Sequence, residues 1–168
     1  MKQDIIKKAI TILGSYSGTN AGTRISKCEN LCEEFVSSAI EDTVLSVKWS
    51  FALKRVDNIE NNNVNGFTEV SNINDAIKLA VIVPSNLQFY TENGKIYFKG
   101  GKINSLFYYS RKIIDNMLCN DSNIWKQVPE SFKLLLSLNL AAMVAFAMYS
   151  DSLFADGLKK QYLIKLEC

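Results

Sequence analysis

The stretch SFKLLLSLNLAAMVAFAMY, residues 131–149, decides how the rest of the chain is read. It is apolar on nearly every face, and a helix of that kind lies either at the centre of a bundle or in a membrane. Its uncharged run from Leu134 to Ser150 covers 17 residues, the short end of a spanning length. Ser137 and Asn139 interrupt the run, while Trp125 and Tyr149 stand where interfacial anchors of a span would. A central bundle helix over 130–149 is the better account. Pro129 and Glu130 suit its first turn, where proline loses no useful hydrogen bond.

The segments on either side are also helical. Asp151 starts a last amphipathic helix over 151–166, with Phe154, Leu158 and Tyr162 on one face. At the other end of the chain, Ile6, Ala9, Ile10 and Leu13 fall at helical spacing and predict a helix over 3–13. Gly14 stands where a left-handed cap would end it. Residues 14–24 (GSYSGTNAGTR) read as a loop. Ser26 and Glu29 fit a capping box, so a second helix is expected over 27–47. Its stripe is Cys28, Leu31, Cys32, Phe35, Val36, Ala39 and Ile40, with Glu33, Glu34, Glu41 and Asp42 mostly on the other side.

Trp49 and Phe51, two residues apart in an extended segment, point the same way. They are expected to fill the core beside the helix end and lock the inserted region to the bundle. Residues 56–66 (VDNIENNNVNG) read as a surface loop, and residues 67–112 as β-rich. Val81-Ile82-Val83 is an apolar run stopped by Pro84. Residues 87–99 have the grammar of a hairpin turning at Asn93-Gly94, and Leu106 to Tyr109 forms a further strand. The expected fold is therefore α+β and mainly helical. It is a single domain over 1–168, an antiparallel helix bundle with a small antiparallel β-sheet or hairpin region inserted.

Composition narrows the function. Lys plus Arg is 19 against 17 Asp plus Glu, a net charge of +2, without the basic stripe of a dedicated nucleic-acid binder. Met1 to Leu13 lacks the apolar core of a signal peptide, so Cys28, Cys32, Cys119 and Cys168 are expected as reduced thiols. The chain has no histidine. A nucleophilic triad lacks its usual base, and Cys28 with Cys32 supplies too few ligands for zinc. No catalytic, cofactor or metal residues are assigned, and no cofactor is expected. The aromatic cluster Phe89, Tyr90, Tyr97, Phe98, Phe107, Tyr108 and Tyr109 is read first as sheet core. An interface and stacking of single-stranded bases are the further readings.

In order, the chain shows Ile12-Leu13-Gly14, a Ser/Gly/Thr loop, a helix, and then Trp49-Ser50-Phe51-Ala52. Val83-Pro84, a hairpin and Tyr108-Tyr109-Ser110-Arg111 come next. Trp125, Pro129 and Phe132, an Ala-rich helix and a final helix with Tyr162 complete the pattern. This order resembles the tail tubular protein A family, the head-to-tail adaptors of short-tailed bacteriophages. The resemblance marks Leu13, Gly14, Trp49, Phe51, Ala52, Pro84, Tyr108, Arg111, Trp125, Pro129 and Phe132 as a structural signature. It implies a non-enzymatic virion protein of the tail connector, assembled in the host cytoplasm. Its partners would be further copies of itself in a ring, typically of twelve, the portal protein and the tail nozzle protein. Double-stranded DNA would pass through the lumen without sequence-specific binding. A closed ring needs head-to-tail contacts between two unlike patches. Charge placement offers Glu33, Glu34 and Glu41 for one patch, and Lys54, Arg55, Lys159 and Lys160 for the other. The alternatives are a small membrane-associated protein anchored by residues 134–150, and a single-stranded nucleic-acid binder.

Overall fold

The computed structural model describes residues 1–14, 21–57, 59, 61–64, 66–70, 73–83, 85, 87–92, 95–99, 103–148 and 152–167, with backbone alone at 21–25, 61–64, 91, 152 and 167. The fold is α+β and mainly helical. The chain divides into a helical unit, residues 1–47 and 114–168, and a β unit, residues 48–113.

The helical unit is built round α5 (Glu130–Met148), which packs against α1 (Lys2–Gly14), α2 (Ala21–Ser46) and α6 (Ser152–Glu167). Every residue of α5 from Leu135 to Ala142 is buried, as its all-round apolar sequence requires. Full burial of a side chain such as Phe132 contributes about 1.5–3 kcal/mol. Side-chain contacts give the helix directions. Lys2 of α1 pairs with Glu33 of α2 at 3.0 Å. Cys28 meets Met148 (Sγ to Sδ 3.1 Å) near one end of α2, and Thr43 meets Asn139 nearer the other, so α2 and α5 are antiparallel.

Three polar side chains cross this core in a chain of hydrogen bonds. Thr43 donates to the Ala39 carbonyl at 2.7 Å, Asn139 donates to Thr43 Oγ1 at 3.4 Å, and Lys159 donates to Asn139 Oδ1 at 3.3 Å. Ser137 donates to the Lys133 carbonyl at 2.8 Å. The polar interruptions of the apolar helix are thus hydrogen-bonded inside the bundle, as buried polar groups must be. By length and composition α5 also qualifies as a membrane-crossing helix, but 61% of its most apolar window is buried in the protein.

Two short helices, α3 (Arg111–Leu118) and α4 (Ser122–Gln127), link the β unit to α5. Asn120 takes the left-handed conformation (φ 60°) after α3. Its N–H reaches the Met117 carbonyl at 3.1 Å, and the Asp121 N–H reaches Asn116 at 2.9 Å, the paired bonds of a Schellman cap. Asp121 then caps α4 by accepting from the Asn123 N–H at 2.8 Å. The buried Trp125 indole donates back across the corner to the Met117 carbonyl at 3.1 Å.

The β unit is a sandwich of two antiparallel sheets. One has the order β1 (Leu53–Asp57), β7 (Ser105–Ser110), β4 (Ala76–Val83). The other has the order β2 (Asn61–Val64), β3 (Phe67–Val70), β6 (Lys95–Lys99), β5 (Gln88–Glu92). Val70, Ile96 and Phe98 from one sheet meet Leu106 and Tyr108 from the other, with Ile59, Ile73 and Ile103 filling the ends. β5 and β6 pair with Glu92 opposite Lys95. That register fits the expected two-residue turn at Asn93-Gly94, which lies outside the described residues.

Several expectations are corrected. The β region starts at Leu53 and builds two sheets. α2 starts at Ala21, so Ser26 and Glu29 are exposed helix-interior residues and form no capping box. Nothing between Thr23 and Ser26 breaks a helix, and the glycine at 22 falls in the tolerant first turn. Gly14 is the last helical residue of α1, without a positive φ. The Asn-rich stretch read as loop contains β2, because pairing with β3 overrides the poor strand propensity of asparagine. Residues 50–52 form a 3₁₀ turn in place of an extended segment. Ala52 is its buried residue, while Trp49 and Phe51 are half-buried with ring centroids 6.1 Å apart.

Candidate assembly surfaces

Strand alternation sorts the aromatic cluster of the β unit. Phe98 and Tyr108 face the sandwich core. Phe89 shares the inner side with Phe98 (centroids 5.9 Å) but lies on the edge strand and is 48% exposed. On the outer side of the four-stranded sheet, Tyr90 stacks on its cross-strand partner Tyr97 at 5.0 Å, and Phe67 meets Tyr90 edge-on at 5.3 Å. These three rings form a continuous ridge. Lys95, paired with Glu69 at 2.8 Å, lies on the same side, as does exposed Lys99.

The three-stranded sheet carries a polar knot at Asp75, just before β4. Lys54 (2.5 Å), Tyr108 (2.9 Å) and Ser110 all donate to its carboxylate, and the Arg111 N–H donates to its backbone carbonyl at 2.6 Å. Burial alone would raise the Asp75 pKa, but the bonds from Lys54, Ser110 and Tyr108 outweigh it and bring the group down to about 2. Burial, and then the Asp75 carboxylate, push the Tyr108 hydroxyl up to about 12. Arg111, itself exposed, begins α3. Sequence reasoning missed Asp75, whose partners are 21 to 35 residues distant.

The charged residues expected at a subunit interface divide into two groups. Lys54 is held by Asp75. Arg55 pairs with Asp57 at 2.8 Å and lies over the Phe107 ring at 5.6 Å. Lys159 points inward to Asn139 and lies over Tyr162 at 4.9 Å. Glu33 is engaged by Lys2 and Gln3. Glu41 is half-buried, while Glu34 and Lys160 are exposed. Lys54, Arg55, Lys159 and Glu33 therefore act within the chain, and Glu34 with Lys160 remains available.

A surface absent from the sequence reading lies on α6. Its inner face holds Leu158 and Tyr162 as expected, with Ala155 buried beside them and Phe154 only half-buried, but the outer face carries Leu153 (77% exposed), Leu163 (49%) and Ile164 (54%). Adding 11 to position 153 gives 164, three helical turns, so this second stripe was available as a spacing signal. A shallow hollow of about 170 Å³ lies beside it, lined by Leu153, Phe154, Gly157, Leu158 and Gln161.

Of the structural signature, Leu13, Ala52, Tyr108, Trp125 and Phe132 are buried, and Trp49 and Phe51 half-buried. Gly14, Arg111 and Pro129 are exposed. The Pro129 carbonyl accepts the Lys133 N–H at 3.2 Å and so opens α5. Pro84 lies outside the described residues. Cys28 and Cys32 are buried, and burial, reinforced by Cys28, Glu33 and Glu29, pushes the Cys32 thiol up to about 12. A thiol so shifted stays protonated and is a poor nucleophile or metal ligand. Among the described residues no group of acidic or cysteine side chains is placed to hold a metal ion. Compared with known proteins, the chain matches no family model and no curated protein.

Proposed function

We propose that this chain is a structural assembly subunit, a head-to-tail adaptor of a short-tailed bacteriophage. It would form a ring between the portal protein and the tail nozzle and conduct double-stranded DNA through its lumen. The observation that carries this reading is the exposure of large apolar side chains, of which two groups stand out. These are Leu153, Leu163 and Ile164 on α6, and Phe89 and Tyr90 on β5. Contiguous exposed apolar surface marks interaction sites, and a ring subunit that also serves a portal and a nozzle needs several. The element order supports it too, since a β region interrupts a helix bundle after the second helix, as the resemblance implies. A net charge of +2 suits a conduit, because many phosphate-binding lysines would hold the genome through counterion release.

Negative-stain electron microscopy of the purified chain, alone and with the portal protein of the same phage, tests the proposal. A ring, or added density beneath the portal, is expected. A monomer in both samples would refute it. The ridge of Phe67, Tyr90 and Tyr97 beside Lys99 favours single-stranded nucleic-acid binding as a second reading. Salt-sensitive binding of labelled oligonucleotides, lost in Tyr90→Ala, would support that reading.

A further inference from the structure

We infer that the outer face of α6 is the surface on which the next copy of this chain docks, and that the docking partner is the outer face of that copy's α2. This contact rests on the assembly reading and specifies how one subunit meets the next.

Three observations converge. First, α2 and α6 both pack on α5 and hardly on each other, although the Asn139 amide reaches both. Each therefore keeps an outer face of its own, and a head-to-tail contact needs two unlike faces. Second, the two faces are complementary. α6 offers Leu153 and Ile164 with Lys160 between them. α2 offers Glu34 and Asp42 around the exposed Ser37 and Ser38, whose small size leaves room for larger side chains. Glu34, Asp42 and Lys160 have no ion-pair partner among the described residues, unlike Glu33 and Lys54. Third, Gly157 lies in the middle of α6, where glycine weakens a helix. A Cβ added there would meet nothing within 4 Å. The fold of the single chain gives no reason for this glycine, whereas a hollow that receives a side chain of the neighbouring copy does.

Gly157 supplies a test that misfolding cannot mimic. Gly157→Leu is expected to move the unfolding midpoint to higher denaturant while filling the hollow. The protein would then be more stable and would no longer assemble. Lys160→Glu and Glu34→Lys are each expected to weaken assembly at least tenfold, measured by sedimentation and by counting rings in micrographs, with or without the portal protein. The double variant Glu34→Lys/Lys160→Glu, which restores opposite charges, is expected to recover rings. If the wild type forms rings and Gly157→Leu and Lys160→Glu form them equally well, the contact is overturned and the adaptor reading stands. If the wild type forms no ring under either condition, both fall.

Discussion

In the helical unit one element supplies most of the core. α5 is buried along eight consecutive residues, and α1, α2 and α6 only have to cover it. In the β unit no element does so. Its core takes alternate residues from both sheets and adds Ile59, Ile73 and Ile103 from outside the strands. Its sides are also less alike, with an apolar inner layer, an aromatic outer ridge and a polar knot at Asp75. A core concentrated in one helix can be recognised from a single run of sequence. A core shared by short strands depends on contacts between residues far apart in the chain, which need long-range closure before they stabilise anything.

The largest effects test whether the two units behave separately. Trp125→Ala removes a buried indole and one of the two donors to the Met117 carbonyl, while Phe98→Ala empties the centre of the sandwich. Each is expected to cost about 3–5 kcal/mol. Native-state hydrogen exchange should show protection lost first in the helices for Trp125→Ala and first in the strands for Phe98→Ala. Identical loss across the chain in both variants would show one cooperative unit and break the comparison.

A smaller effect is expected at Asp75. Its folded pKa lies below the ordinary value, so its contribution is present above the ordinary value of 3.8 and is lost as pH falls through about 2. The shift corresponds to about 2 kcal/mol before screening. Screening at a side chain 30% exposed reduces this to about 1–2 kcal/mol. Asp75→Asn should therefore lower stability by that amount at pH 7, and the gap to wild type should close near pH 2. A constant gap in urea titrations from pH 7 to pH 2 would show that the charge is not what holds the knot.

The smallest expected effect returns to the helical unit. Asn120→Ala should cost about 1 kcal/mol, because alanine tolerates the left-handed conformation poorly, and Asn120→Gly should be nearly neutral. Equal losses in both would mean that the side-chain bond from Asn120 to the Lys2 N–H, at 3.1 Å, matters more than the backbone conformation.

The parts of the fold legible in sequence are those with enough repeats of one period. α5, α6 and the β5–β6 hairpin were each visible at nearly their observed limits. α3 and α4, with 8 and 6 residues, offer too few turns for a helical period to stand out after an aromatic strand. β2 was hidden because Asn61-Asn62-Asn63 carries turn residues, and only its partner strand makes it extended. The charged interface candidates show the same limit. Lys159 and Lys160 are neighbours of the same type, yet one turns inward to an amide and the other outward to solvent. Composition cannot separate them, since the difference is set by a step of roughly 100° round the helix.

Asn139 has a consequence of a different kind. A cylinder that is apolar on every side can spin about its own axis and still bury the same area, so burial alone leaves its azimuth undetermined. One buried amide removes that degeneracy, because only one rotational setting places it between Thr43 and Lys159. A lone polar group at the centre of a coiled coil selects one register in the same way, at some cost in stability. Asn139 therefore acts as the key that indexes α5, and through α5 the aim of every helix packed on it.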